Sequence, residues 1–411
     1  MRVLLLGLVA MVCGSVLTAC DSGPESLSVD DFLQQHWPAI ISPQGEPPQG
    51  YSAQEASLDP DDCGACHVAQ FKQWRGSLHH QTMGLGIQWQ LKLMDQQQGD
   101  QCLACHAPLA EQKALTAMHQ QWPNQPSAAV PAWVPKQLAD DGLVCAACHV
   151  RRHQRFGPPP RQQPAGDLPH DGFVVNEAFQ DSRFCATCHQ HKTEQNAPTI
   201  NGKLHMDTYR QWQASAQGRA GIQCQQCHMP DRQHLWRGIH DADMTRSALV
   251  VNFEVQRSAQ NQVRITSSLA NQGAGHHFPT YMVPKIELVF ELLKPDAEVE
   301  RELYRHVIGW QVNVALDRER FDTRIPAGET VRLSFPVNLP GAADEQWAIR
   351  LRVEVAPREH YERTFRQSLQ HADRLPPKTL NTLREALAEA EATRYRLLEQ
   401  QRMIPALPIA N

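Results

Sequence analysis

The sequence predicts a mainly α, loop-rich first domain, a small β-sandwich-like domain after it and a C-terminal helix. Three observations carry this expectation. Between Cys63 and His228 the pattern C-x-x-C-H occurs five times, and prolines break the intervening sequence into short pieces. From about 245 to 357 apolar residues recur with period two, the spacing of half-buried strands. From Pro377 to Met403 the chain is rich in Ala, Leu, Glu and Arg, with Leu380, Leu383, Leu387 and Ala390 on one helical face.

The 411 residues carry a net charge of −5, without the basic excess that a nucleic-acid partner requires. Residues 1–19 read as an export signal of lipoprotein type. Arg2 precedes an apolar core over 3–12 that is too short for a membrane span. Leu17-Thr18-Ala19-Cys20 then resembles the bacterial lipoprotein signal, in which Cys20 becomes the lipidated N-terminal residue. The alternative is an ordinary secretory signal cut near Ala19. Both export the chain, and lipidation would hold it at a membrane surface in the bacterial cell envelope. Residues 20–58, rich in Ser, Pro, Gln and Gly, read as a tether. Phe32, Trp37, Ile40 and Ile41 give it apolar groups to lay against the domain that follows.

Residues 59–242 form the domain of the cysteine motifs. The copies are Cys63/Cys66/His67, Cys102/Cys105/His106, Cys145/Cys148/His149, Cys185/Cys188/His189 and Cys224/Cys227/His228. Random placement of these residue types would give roughly 0.02 copies. In c-type haem attachment two thiols add across the haem vinyl groups and the adjacent histidine becomes the proximal iron ligand. Zinc ribbons pair their C-x-x-C units into four-ligand sites, and iron–sulfur clusters have no use for the histidine. Ten of the 12 cysteines are consumed in this way; Cys13 and Cys20 remain, both near the N-terminus. The expected cofactor is therefore five covalently bound haem c. About 33 residues per motif is too few to enclose each haem separately, so the haems would supply much of the core and pack against one another. Short helices are expected at 68–75, 110–121 and 207–216.

In the β region, Leu249, Val251, Phe253 and Val255 alternate with polar or smaller neighbours. Ile286 to Leu292, Val331 to Val337 and Trp347 to Val355 repeat the pattern, and Ser258-Ala259-Gln260-Asn261 reads as a turn before Val263 and Ile265.

Cys63-Gly64-Ala65-Cys66-His67 followed by Trp74, Ser77 and His79 resembles the C-x-x-C-H…W-x-x-S-x-H stretch of the cytochrome c554 family, a relative of hydroxylamine oxidoreductase and pentahaem nitrite reductase. Cys224 to Pro230 with His234 and His240, and Gly275-His276-His277-Phe278-Pro279-Thr280, are similar to family members as well. Where the family has Gly after Pro-Thr, Tyr281 stands here. The resemblance implies that His79, His170, His234, His240 and His276 are distal iron ligands, with His153, His119 and His277 as alternatives. Met83, Met206, Met229 and Met244 lie near motifs and could replace a histidine, although packing is the commoner role of Met.

The expected function is relay of single electrons by an exported, membrane-anchored pentahaem cytochrome c. Its partners would be a redox protein or quinol-linked donor and an acceptor the sequence does not identify. The rival is an oxidoreductase acting on a small nitrogen or sulfur oxyanion at one five-coordinate haem. All five motifs end in His, not in the Lys that the related nitrite reductases use at the catalytic haem.

Overall fold

The computed structural model describes residues 27–126, 130–162, 169–191, 198–341 and 346–406. The leader and Cys20 lie outside these residues.

From Val29 to Ala248 the chain runs through short helices and loops, with strands of two to four residues at Val150–Arg151, Gln154–Gly157, Val174–Val175, Thr199–Ile200 and Lys203–Leu204. The helices Val68–Arg75 and Ala110–Gln120 lie where the apolar spacing puts them, and Thr208–Gln213 falls within the third expected segment. Every cysteine motif sits on or directly after a helical turn: Pro60–Gly64, Gln96–His106, Cys145–His149, Ser182–His189 and Cys224–His228. An i, i+3 spacing on a turn brings both sulfurs to one side.

Residues 27–58 are built into this domain. The helix Val29–His36 is capped by the Ser28 side chain. Phe32 lies 5.6 Å from Phe156 and 5.9 Å from Phe179, and the His36 ring meets the Cys148 carbonyl at 2.8 Å. Ile41 is buried as expected, but Ile40 is 78% exposed. The apolar core of the domain is divided. Leu58, Trp74, Leu109 and Leu138 belong to one cluster, and Met83, Leu91, Leu103 and Trp122 to another.

The second half contains strands β1 (Leu249–Ala259), β2 (Gln262–Asn271), β3 (Lys285–Leu293), β4 (Val299–Ile308), β5 (Trp310–Val312), β6 (Glu319–Asp322), β7 (Thr330–Asn338), β8 (Ala348–Ala356) and β9 (Tyr395–Met403). One sheet has the order β7-β2-β1 and another β9-β8-β3-β4, with β5 and β6 as a separate pair; all pairings are antiparallel. Phe253, Ile265 and Leu269 of the first sheet meet Leu288, Phe290, Leu351 and Val353 of the second in one core, which makes a β-sandwich.

The C-terminal helix differs from expectation. It spans Pro377–Ala392 and not 377–403, because residues 395–403 form β9 and pair with β8. The apolar stripe stops at Ala390, and pairing satisfies the open side of β8 while Leu397 enters the sandwich core. The sandwich therefore extends past 357 and takes its last strand from the chain end. The helices Glu359–Leu369 and Pro377–Ala392 join the halves, packing Phe365, Leu383 and Ala386 around Trp89.

Candidate haem centres

The W-x-x-S-x-H stretch has a direct mechanical reading. Trp74 is buried and donates from its indole nitrogen to the Leu143 carbonyl at 2.8 Å. The Ser77 hydroxyl closes the turn by donating to the Trp74 carbonyl at 2.7 Å. Leu143 N–H then donates to the His79 carbonyl at 2.9 Å. Two residues before the third motif, the chain thus grips His79 from both sides. Gly142, at φ +65°, permits the approach; a Cβ there would stand 2.7 Å from the His79 carbonyl and 2.3 Å from that of His80.

Three motif histidines face a second imidazole at nearly one separation. Ring centres are 6.3 Å apart for His189 and His79, 6.2 Å for His149 and His234, and 6.3 Å for His228 and His276. A metal held between two imidazoles from opposite sides sets their ring centres about 6.2 Å apart, from nitrogen–metal bonds of about 2.0 Å and about 1.1 Å from nitrogen to ring centre. The residues present therefore fit iron with two axial histidines at these motifs. For His67 the neighbouring imidazole charge is His170. Among the described residues no ring pairs with His106 at such a distance.

The hydrogen bonds select the nitrogen. Nδ1 donates to a backbone carbonyl in His106 (Thr82, 2.7 Å), His149 (Phe156, 2.8 Å), His228 (Arg237, 2.6 Å), His170 (Gly172, 2.7 Å), His234 (Arg232, 3.0 Å) and His276 (His277, 2.8 Å). A carbonyl only accepts, so Nδ1 carries the proton and Nε2 keeps its lone pair for a metal. Burial holds His79 down to about 3 and His149 and His276 down to about 4. These imidazoles stay neutral, as ligation requires.

The motifs adjoin one another. Cys63 is within hydrogen-bonding reach of Cys145, Cys105 of Cys188, and Cys185 of Cys224. Cys148 also lies near Cys185 and Cys188. The first motif thus meets the third, the third meets the fourth, and the fourth meets both the second and the fifth. Cys66 and Cys227, of the first and fifth motifs, are exposed; the other motif cysteines are partly enclosed.

His276 reaches its place from the β2–β3 loop. The Asn271 side chain donates to its carbonyl at 2.8 Å, and Gln211 of the first half accepts from His277 N–H at 3.1 Å. The remaining candidates fall elsewhere. His240 is held near 4 by burial and by the Arg358 charge, and no motif histidine pairs with it among the described residues. His153 donates from Nε2 to the Gly45 carbonyl at 3.0 Å, which occupies the nitrogen a ligand would use. His119 is exposed at the end of its helix. Burial and Arg324 lower the pKa of His277. Met83 packs in an apolar cluster.

Sequence reasoning missed the buried His36. It also missed a pair outside the motifs, His191 and His205, whose ring centres are 6.4 Å apart. Neither signal exists locally in the sequence. The site of the second motif was also not anticipated. Tyr361 lies near Cys102, and Arg358 acts on Tyr281, Tyr361 and His240. Burial raises both phenol pKa values.

Residues 62–128, which include the first two motifs, match the family model described as cytochrome c554 and c-prime. No curated protein matches the sequence. Among solved structures the fold is similar to that of a penta-heme cytochrome c552 from Thermochromatium tepidum, at a TM-score of 0.53 and 17% identity, over 86% of this chain and 100% of that one. Spo0M, a sporulation control protein from Bacillus subtilis, aligns with 26% of this chain and 43% of its own at 12% identity and a TM-score of 0.14.

Proposed function

Through residues 62–128 the chain carries the signature of the cytochrome c554 family of multihaem cytochromes c, and from that premise we propose that it relays single electrons through five haem c groups. Cys63/Cys66, Cys102/Cys105, Cys145/Cys148, Cys185/Cys188 and Cys224/Cys227 attach them, and His67, His106, His149, His189 and His228 are the proximal ligands. His79, His170, His234 and His276 are the distal ligands of four. The observation that carries this reading is the repeated 6.2–6.3 Å imidazole pair, each with a motif histidine as one member. Haem c supplies a one-electron iron couple. The chain's own residues orient six of the rings through Nδ1–carbonyl bonds, and burial keeps His79, His149 and His276 neutral; hydrogen bonding and burial are levers that set potential. Contacts between motifs favour a branched route. Electrons pass between the first, third and fourth motifs, and the fourth serves both the second and the fifth.

Exposed cysteines at the first and fifth motifs support these as the points of exchange with partners. The donor would be a redox protein or a quinol-linked protein. Export and lipidation at Cys20 would place the exchange at a bacterial membrane surface. Among the described residues no helix is long and apolar enough to cross a membrane.

One observation favours a second reading, catalysis on a small nitrogen or sulfur oxyanion at the second motif. There His106 has no paired imidazole among the described residues, and Tyr281, Tyr361 and Arg358 gather nearby. Protein-film voltammetry separates the two. A relay gives reversible one-electron waves that added nitrite, hydroxylamine or sulfite leave unchanged. A catalytic current with any of these overturns the relay and selects the second reading.

A further inference from the structure

A cleft unconnected with the motifs lies on the side of the Glu359–Leu369 helix that carries Arg363, Arg366, Gln367 and Gln370. The spacing of three and four residues puts these groups on one helical face. Asn313 and Arg320, from the β5–β6 hairpin, form the opposite wall of a cleft of about 450 Å³. That volume suits a small ligand.

Three guanidinium groups line the cleft and no carboxylate does. The carboxylates stand behind them. Glu359 accepts from Arg363 Nε at 2.6 Å, while Glu362 and Glu391 accept from Arg366 Nη2 at 3.1 and 2.6 Å. Arg363 Nη2 also meets His360 Nδ1 at 3.2 Å. These contacts fix one edge of each guanidinium and leave Arg363 Nη1 and Arg366 Nε and Nη1 without a protein acceptor among the described residues. Arg320 makes no side-chain hydrogen bond or ion pair among the described residues, although Glu319 and Asp322 of the same strand both pair with Lys203. Arg320 keeps its donors free beside two guanidiniums that are already oriented, and Glu287 and Glu359 border the adjoining hollow that it also lines. An acceptor-rich anion in the cleft would take the free donors of all three. Planar guanidinium forks match carboxylate, phosphate and sulfate oxygens in pairs, and side chains already held by partners lose little freedom on binding.

We propose that this cleft binds a small multivalent oxyanion, with Arg320, Arg363 and Arg366 as its charged contacts. The site is independent of the haem reading, because none of its residues touches a motif.

The test is calorimetric titration of the haem-loaded full chain with citrate, inorganic phosphate and sulfate, each against sodium chloride at matched ionic strength. Saturable binding of at least one probe at one site per chain is expected. Arg320→Gln should weaken it at least about tenfold and Arg363→Gln should do the same, with the haem spectrum unchanged in both. Arg402→Gln, remote from the cleft, should bind as the parent does. Arg320 has no partner to lose, so its variant decides the matter even if Arg363→Gln fails to fold. No saturable binding of any probe at millimolar concentration, or binding that Arg320→Gln leaves intact, overturns the proposal. Citrate without phosphate or sulfate would assign the site to polycarboxylates, and the reverse would assign it to tetrahedral anions.

Discussion

Strand β3 (Lys285–Leu293) and the helix Ser182–His189 are nearly equal in length and differ in what surrounds them. Almost every residue of β3 is buried, whereas Ser182 is the one fully buried residue of the helix. The contrast extends outward. The sandwich closes on its own side chains in a cluster running from Ala248 to Ile404. From Cys185 to His240, only Ile200 and Leu204 are fully buried apolar residues among those described, and Ile200 packs with Met282 and Trp310 of the second half. Each large apolar side chain buried contributes roughly 1.5–3 kcal/mol, against roughly 1–2 kcal/mol of backbone entropy for every residue ordered. The sandwich meets that balance from its own sequence. The segment around the fourth and fifth motifs does not, and its regular helices imply that covalently bound haem completes its core.

The largest expected effect follows from removing that completion. In a chain with Cys185 and Cys188 both replaced by Ser, amide hydrogens from 182 to 240 should exchange rapidly by mass spectrometry while β2, β3 and β8 keep their protection. Simultaneous loss in both regions would break the contrast. The converse change is Phe290→Ala, which opens a cavity between the two sheets. It should cost about 3–5 kcal/mol in urea unfolding followed by far-ultraviolet dichroism, with haem absorption unchanged in the native baseline. Altered native haem absorption would show that the halves are not separate in this sense.

A more local change sharpens the boundary. His276→Ala should convert one haem to high spin, or exchange its sixth ligand, and leave the others as they were. An unchanged spectrum would return His276 to the sandwich as an ordinary buried imidazole. The smallest effect concerns Lys285, buried beside Glu359 with Arg363 and Arg324 nearby. Burial lowers its pKa from 10.5 to about 8. Between about pH 8 and 10.5 the unfolded chain holds a proton that the folded chain has released, so this residue makes stability rise with pH across that window. Urea midpoints of the parent and of Lys285→Met should therefore differ in slope there, with the parent rising more steeply. Equal slopes would mean that the amine titrates normally.

The same contrast explains what could be read from the sequence. Haem attachment was legible because the chemistry needs two thiols and an imidazole within five residues. The helices Val68–Arg75 and Ala110–Gln120, and the alternation in β1, β3 and β8, were legible because they are local periodicities. Strand β4 was not. As a sheet edge it shows Glu300, Arg301 and Glu302 to solvent and has little apolar alternation. Strand β9 was misread because Leu, Glu, Gln and Arg favour helix, and pairing with β8 overrides that preference. Candidate distal ligands could be named only through family resemblance. His79 acquires its place from Trp74 and Leu143, and His276 from Asn271 and Gln211, which are tertiary relations. His240 lacks such a relation to any motif histidine among the described residues.

The proposed relay has paired histidines on most of its irons. Electron paramagnetic resonance of the oxidised, haem-loaded chain, with spins quantified against the total haem, tests it most directly. Low-spin signals are expected for the four haems at His67, His149, His189 and His228, with any high-spin component limited to the haem at His106. High-spin iron in the majority of the five would contradict it.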